Sequence, residues 1–228
     1  MATRVVDAQI LANCVFLGNF RRANVQVTMS QNNGGNLGKS EEDAEDIRLM
    51  ELVGQGDTRA FEQLIEKHQT LVAGTIARML GSSSDVEDIA QQVFIRVWKS
   101  ARRYVPRAKF TTWLLKITRN LVFNEMRRTK RRPNVPLHSE AGAEDLPLKD
   151  ETILTPDASL LESELQQAIE EAIQHLPETQ RMALVLRRYQ ELSYEQIAEV
   201  LDLSVPAVKS VLFRARTELR SRLSKYLD

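Results

Sequence analysis

Residues 132–156, RPNVPLHSEAGAEDLPLKDETILTP, set four prolines and a run of acids between two blocks of helical periodicity. Proline is excluded from helix interiors and central strands, so no regular element is expected to cross this segment. The chain is therefore expected to be all-α, with two small helical domains joined by a flexible acidic linker. Fully extended, the 25 residues of that linker reach about 80 Å.

The first block, residues 42–131, reads as a helical domain. Asp57 can cap a helix carrying Phe61, Leu64, Ile65, Leu71, Val72, Ile76 and Met79. Ser84 and Glu87 have the spacing of a capping box. The next helix follows at once, with Val86, Ile89, Ala90, Val93, Val97 and Trp98 on one face. Beyond Pro106 a long helix is expected from about Ala108 to Lys130. The second block, residues 157–228, resumes with Leu161, Leu165, Ala168, Ile169, Ala172 and Ile173 in one stripe. Pro177 suits a helix first turn, Ser193 and Gln196 form a second capping box, and Ser204 caps the last helix. Period-2 runs bounded by turn residues are scarce, which leaves no strand to expect. Residues 1–41 are expected to be a disordered extension, polar and rich in Gly and Asn from Ser30. Met29 opens that stretch as an alternative first residue. The segment AQILANCVFLGNF, residues 8–20, has one preceding Arg and no small-residue cleavage site, so a secretory leader is not expected.

The net charge is zero, but the charges are segregated. From Arg96 to Arg132 there are thirteen Lys or Arg and one acid, Glu125. From Glu140 to Glu171 there are ten acids and one base, Lys149. One surface is thus positive and another negative, and the positive one calls for a polyanion or an acidic partner.

Two basic surfaces carry nucleic-acid chemistry. A short helix, a turn at Asp202-Leu203 and a second helix make a helix-turn-helix. On the last helix Val205, Val208, Leu212, Ala215, Leu219, Leu223 and Tyr226 share an inward face. Ser210, Phe213, Arg214 and Thr217 face outward, with Lys209 on the flank. An outward aromatic among bases and few acids suits a groove reader better than a solubilising face. Arg187 and Tyr194 can hold the DNA backbone upstream. On the helix from Ala108, Phe110, Trp113, Leu114, Ile117 and Leu121 form a core stripe. A separate stripe holds Lys109, Thr112, Lys116, Arg119, Asn120, Phe123, Arg127 and Lys130. Cations for phosphates, an aromatic for stacking and an amide for base edges suit partly single-stranded nucleic acid. The preceding helix presents Asp88, Gln91, Gln92, Ile95 and Lys99, a mixed face that suits a protein partner.

Other classes find little support. The single cysteine, Cys14, excludes an internal disulfide, argues against a zinc site and fits a reducing cytosol. No run of 18 apolar residues exists to span a membrane. His68, His138 and His175 are scattered, and no phosphate-binding loop or metal cluster appears, so no catalytic residue, metal or cofactor is expected. His68, along an apolar stripe, reads as structural. An autonomous helix-turn-helix regulator is the competing reading, but no dimerisation helix is evident.

DVEDIAQQVFIRVWKSARRY (85–104), AKFTTWLLKITRNLVFNEMRR (108–128) and LPETQRMALVLRRYQELSYEQIAEVLDLSVPAVKSVLFRARTEL (176–219) resemble bacterial sigma factors of the extracytoplasmic-function group. The likeness implies a promoter-recognition subunit without chemistry of its own, cytoplasmic and active when bound to core RNA polymerase. It implies that Asp88, Gln91, Gln92, Ile95 and Arg96 dock on the coiled coil of the largest catalytic subunit. It implies a −10 reader made of Tyr104, Arg107, Lys109, Lys116, Arg119, Asn120, Phe123 and Arg127, with the 104–109 loop receiving a flipped base. It implies a −35 reader made of Arg187, Tyr194, Lys209, Ser210, Phe213 and Arg214. Promoter elements about 60–70 Å apart are within reach of the linker. An anti-sigma protein is a further implied partner. Val211 stands where the family commonly has Arg, and Pro206-Ala207 where it often has Gly-Thr. The loop sequence VPRAK is short and basic where many members carry Gly and Asp. Neither promoter sequence therefore follows from the likeness.

Overall fold

The computed structural model describes residues 36–81, 85–131 and 156–226. Among them are eight α-helices and no strand: α1 (Asn36–Gly54), α2 (Thr58–Leu80), α3 (Val86–Ser100), α4 (Phe110–Arg131), α5 (Pro156–Gln174), α6 (Glu178–Arg188), α7 (Tyr194–Leu201) and α8 (Val205–Arg222). Residues 1–35 and 132–155 lie outside the described residues, and the expected extension and linker lie there with them. Pro156, assigned to the linker, is the first residue of α5.

Helix α1 starts at Asn36, inside the stretch expected to be disordered. Its acids have distant partners that local reading does not see. Lys67 reaches Glu45 and Asp46 at 2.8 Å each, Asp46 Oδ2 lies 3.1 Å from His68 Nε2, and Lys109 meets Asp43 at 3.0 Å. Burial pushes the Asp46 carboxyl up, but hydrogen bonds from His68 and Lys67 outweigh it and hold the group below its ordinary value.

Helix α2 begins as the sequence predicts. The Asp57 carboxylate accepts from the Arg59 and Ala60 N–H groups at 2.9 and 3.1 Å. It ends at Gly81, whose φ of +77° favours glycine, with the Gly81 N–H on the Ala77 carbonyl. Helix α3 departs from the expected capping box. Ser84 is not among the described residues, and the N-cap is Asp85, whose side chain makes no capping bond. Glu87 and Asp88 in the first turn still complement the helix dipole.

The core is shared by both helical sets. Met50, Leu64, Ile76, Met79, Phe94, Phe110, Leu114 and Leu115 are fully buried in the first, and Met182, Leu186, Ile197 and Leu212 in the second. One apolar cluster contains all of them. Helix α2 packs on α6, and α4 packs on α7. Burying such side chains contributes roughly 1.5–3 kcal/mol each before chain entropy is subtracted.

A buried guanidinium ties the two sets. Arg181 on α6 donates to the Met79 carbonyl at 2.5 Å, to the Gln174 side-chain oxygen at 2.6 Å, and to the Gln174 and Leu176 carbonyls. These acceptors sit at the C-terminal ends of α2 and α5, where helices leave carbonyls unpaired. Gln174 in turn donates to the Arg78 carbonyl. Gln190 donates to Thr75, and the Arg78 guanidinium lies 4.2 Å from the Tyr189 ring centroid.

Candidate nucleic-acid interfaces

The helix-turn-helix forms as the sequence predicts, because its signals are local. Gln196 N–H donates to Ser193 Oγ at 3.2 Å, and Ser193 N–H to Gln196 Oε1 at 2.9 Å, a complete capping box. Helix α7 ends at Asp202, held left-handed at φ 55° and ψ 46°. Aspartate tolerates that conformation better than bulkier residues. Ser204 then starts α8 by accepting the Ala207 N–H at 3.3 Å.

Val208, Leu212 and Ala215 fix the inward face of α8. Val205, Leu219, Leu223 and Tyr226 are half-buried at its margin. Ser210, Phe213, Arg214 and Thr217 are consequently exposed, Phe213 to 71%. Arg187, Tyr194 and Lys209 come together beside this face. Arg187 donates to the Leu192 carbonyl at 2.7 Å, and its guanidinium lies 5.1 Å from the Tyr194 ring centroid. The Lys209 ammonium lies 5.9 Å from the same centroid.

Helix α4 is arranged differently. Thr112, placed by sequence on the basic stripe, is 1% exposed, with no hydrogen-bond partner for its hydroxyl among the described residues. Phe123 is half-buried against the shared core instead of standing free to stack. Leu115, Thr118, Val122 and Met126 are buried as well. The buried arc of α4 is wider than its own periodicity implies, and the helix packs on α1, α2, α3 and α7.

The cations of that stripe meet counter-charges. Lys116 Nζ lies 2.5 Å from one Asp202 carboxylate oxygen, and Arg119 Nη2 lies 2.9 Å from the other. Arg119 also donates to Asn120 Oδ1 at 2.6 and 3.1 Å. Lys130 Nζ sits 2.6 Å from Glu178. The Lys116 hydrogen bond, opposed by slight burial and supported by Arg119, holds the Asp202 carboxyl below its ordinary value of 3.8. Arg127 is exposed and lines a shallow depression with Asn124, Arg128 and Arg131.

The loop before α4 is anchored at both ends. The Tyr104 ring stands 4.9 Å from Trp113 and 6.2 Å from Phe110. Burial, then the Asp46 and Asp43 charges, push its phenol pKa up. Lys109 is held by Asp43. Between these ends Arg107 is exposed and Val105 is 60% exposed. The −10 candidates therefore fall into four groups. Tyr104, Arg107 and Lys109 belong to the loop, Lys116, Arg119 and Asn120 lie beside the helix-turn-helix, Phe123 packs on the core, and Arg127 stands apart.

On α3, Asp88, Gln92 and Arg96 are exposed, while Gln91 and Ile95 are half-buried. They form one outward strip. Arg181 and Asp202 carry no functional signal in the sequence. Asp202 is legible as a turn residue but not as the partner of two cations more than 80 residues upstream.

Residues 64–132 match the model of Sigma-70 region 2, and residues 166–219 match that of Sigma-70, region 4. The chain is 35% identical to the RNA polymerase sigma-H factor of Pseudomonas aeruginosa, over 80% of this chain and 96% of that protein. The chain belongs to the extracytoplasmic-function sigma factors. It is 35% identical to the ECF RNA polymerase sigma-E factor of Haemophilus influenzae, over 78% of this sigma factor and 95% of that one. The ECF sigma factor SigW of Bacillus subtilis is 33% identical over 75% and 92%. Among solved structures, CnrH in complex with the cytosolic domain of CnrY aligns with a TM-score of 0.58 at 26% identity, over 79% of this chain and 98% of that one. RpoE from Bartonella quintana, in a complex with the anti-sigma factor NepR, shares the fold at a TM-score of 0.54 and 21% identity, over 72% and 96%. This protein is accordingly an alternative sigma factor, and members of its family are transcription initiation factors. No described helix is long and apolar enough to cross a membrane.

Proposed function

We propose that this sigma factor divides promoter recognition between residues 42–131 and 157–228 and works in the cytoplasm without catalysing a reaction itself. The α3 strip of Asp88, Gln91, Gln92, Ile95 and Arg96 docks on the coiled coil of the largest polymerase subunit. The 104–109 loop and α4, through Tyr104, Arg107, Lys109, Lys116, Arg119, Asn120, Phe123 and Arg127, read and open the −10 element. Arg187, Tyr194, Lys209, Ser210, Phe213 and Arg214 read the −35 element in duplex form.

The observation that carries this reading is the outward Ser210, Phe213 and Arg214 on α8, with Arg187 and Lys209 gathered around Tyr194 beside them. A helix with that composition supplies base-edge donors and phosphate contacts on one side. An anti-sigma protein is the proposed restraint, since the relatives CnrH and RpoE were solved with CnrY and the anti-sigma factor NepR.

The test is transcription from genomic fragments with core polymerase, with and without the purified protein, followed by sequencing of the run-off products. Discrete new start sites that depend on the protein are expected. Tight duplex binding by the protein alone, with no new start sites, would transfer the assignment to an autonomous regulator.

A further inference from the structure

Two of the cations assigned to −10 reading, Lys116 and Arg119, already have an anionic ligand, and it belongs to the same chain. Asp202 projects from the turn of the helix-turn-helix and places one carboxylate oxygen on Lys116 and the other on Arg119. Two oxygens of one acidic group shared between a lysine and an arginine is also how such a pair would grip a backbone phosphate. Arg119 additionally clasps the Asn120 amide oxygen, so that edge is engaged as well. The contact is not isolated. Lys130 meets Glu178 farther along α4, Arg181 closes on the end of α2, and α7 packs along α4.

Two consequences follow from this placement. A phosphate cannot take up Lys116 and Arg119 until Asp202 leaves. The two proposed readers also sit on helices of one packed body, whereas promoter elements two helical turns apart need about 60–70 Å between them. The α8 face stays open throughout, as the exposure of Phe213 shows. We infer that the turn of the helix-turn-helix is an intramolecular ligand of the −10 surface, with Asp202 standing in for a promoter phosphate, so that the free sigma factor masks its own melting surface. Engagement with core polymerase must separate α6–α8 from α4 before that surface meets DNA. The inference rests on the assignment of α4 to the −10 element.

A zero-length carbodiimide crosslinker tests it on the unaltered chain, since it joins only a lysine and a carboxylate already in contact. Peptide mapping should find Lys116 joined to Asp202 in the free protein and not in the complex with core polymerase. The same linkage at equal yield in both states, or in neither, would overturn the inference. The second arm measures binding of the full free chain to fluorescent single-stranded oligothymidylate. Asp202→Asn should bind about two- to fivefold tighter, the scale of one exposed ion pair. Glu199→Gln, the same charge change three residues earlier on α7, should leave binding unchanged. Equal gains in both variants would mean bulk charge only and would defeat the masking role. The −10 assignment is judged separately, by promoter opening in the polymerase complex with Arg119→Ala. Slower opening there, with no effect of Asp202→Asn on the free chain, would sink the masking and spare the assignment. Unchanged opening would sink the assignment itself.

Discussion

On α8, Ser210, Phe213 and Arg214 meet solvent; on α4, Lys116 and Arg119 meet Asp202 and Phe123 meets the core. Both helices pair an apolar face with a basic-aromatic one, and both faces are proposed to hold DNA. They differ in what lies across from them. Helix α8 is the last α-helix and packs on α5, α6 and α7, leaving Ser210, Phe213 and Arg214 exposed. Helix α4 is enclosed by more neighbours, packing on α1, α2, α3 and α7. A helix's own periodicity says which residues turn away from its nearest neighbours. It does not say whether a distant element returns to cover them.

The strongest challenge to this contrast is a test of whether the covering is structural. Met182 on α6 is fully buried in the cluster that spans both helical sets. Met182→Ala should cost about 2–5 kcal/mol. It should lower the stability of α2–α4 together with that of α6–α8, seen as one shifted transition by hydrogen exchange across both. Loss of protection confined to α6–α8 would show that the two sets unfold independently. Next in size is Arg181→Met, which leaves the Met79 and Gln174 carbonyls without their charged donor and should cost about 1–3 kcal/mol, read by chemical denaturation.

The functional side of the contrast is sharpened by a pair of variants. Arg214→Ala should weaken binding to a −35 duplex in the polymerase complex by roughly 1–3 kcal/mol and leave the rate of promoter opening from the bound complex unchanged. Asn120→Ala should do the reverse, slowing opening while sparing both −35 affinity and polymerase binding. Equal effects of both variants in both assays would erase the division of labour. The smallest effect expected is that of pH on the α4–α7 contact. The Asp202 carboxyl is held below 3.8 when folded, so its contribution is fully present above that value and is lost as pH falls through the lowered folded pKa. Between pH 5 and pH 8 this pair should therefore not respond, whereas rising salt should loosen it, because its carboxylate is 53% exposed. The NMR chemical shift of the Asp202 side-chain carboxyl carbon across both titrations checks this.

What was legible in the sequence follows the reach of each interaction. The Asp57 cap, the Ser193–Gln196 box, the Ser204 cap and the outward set on α8 all depend on residues within a turn or two. All were readable. The pairing of Lys116 with Asp202, the ties of α1 to Lys67 and the tie made by Arg181 depend on partners 20 to about 100 residues away. Charge counts pointed to a basic surface in need of an anion. They could not point to Asp202, because one aspartate in a turn is an ordinary turn residue until the fold brings α4 against it. Family motifs added the identity of the two Sigma-70 regions, which periodicity alone leaves open.

The Arg181 tie bears on how the protein is made. The carbonyl of Met79 and the guanidinium that satisfies it lie 102 residues apart in the chain. A ribosome adding roughly 5–20 residues per second leaves the C-terminal end of α2 without this donor for about 5–20 seconds. Throughout that interval the first helices exist as a nascent fragment with an open seam, and their basic surface is uncovered while messenger RNA and ribosomal RNA are close by. The C-terminal helices, made last, thus supply both the donor that closes the end of α2 and the carboxylate that meets Lys116 and Arg119.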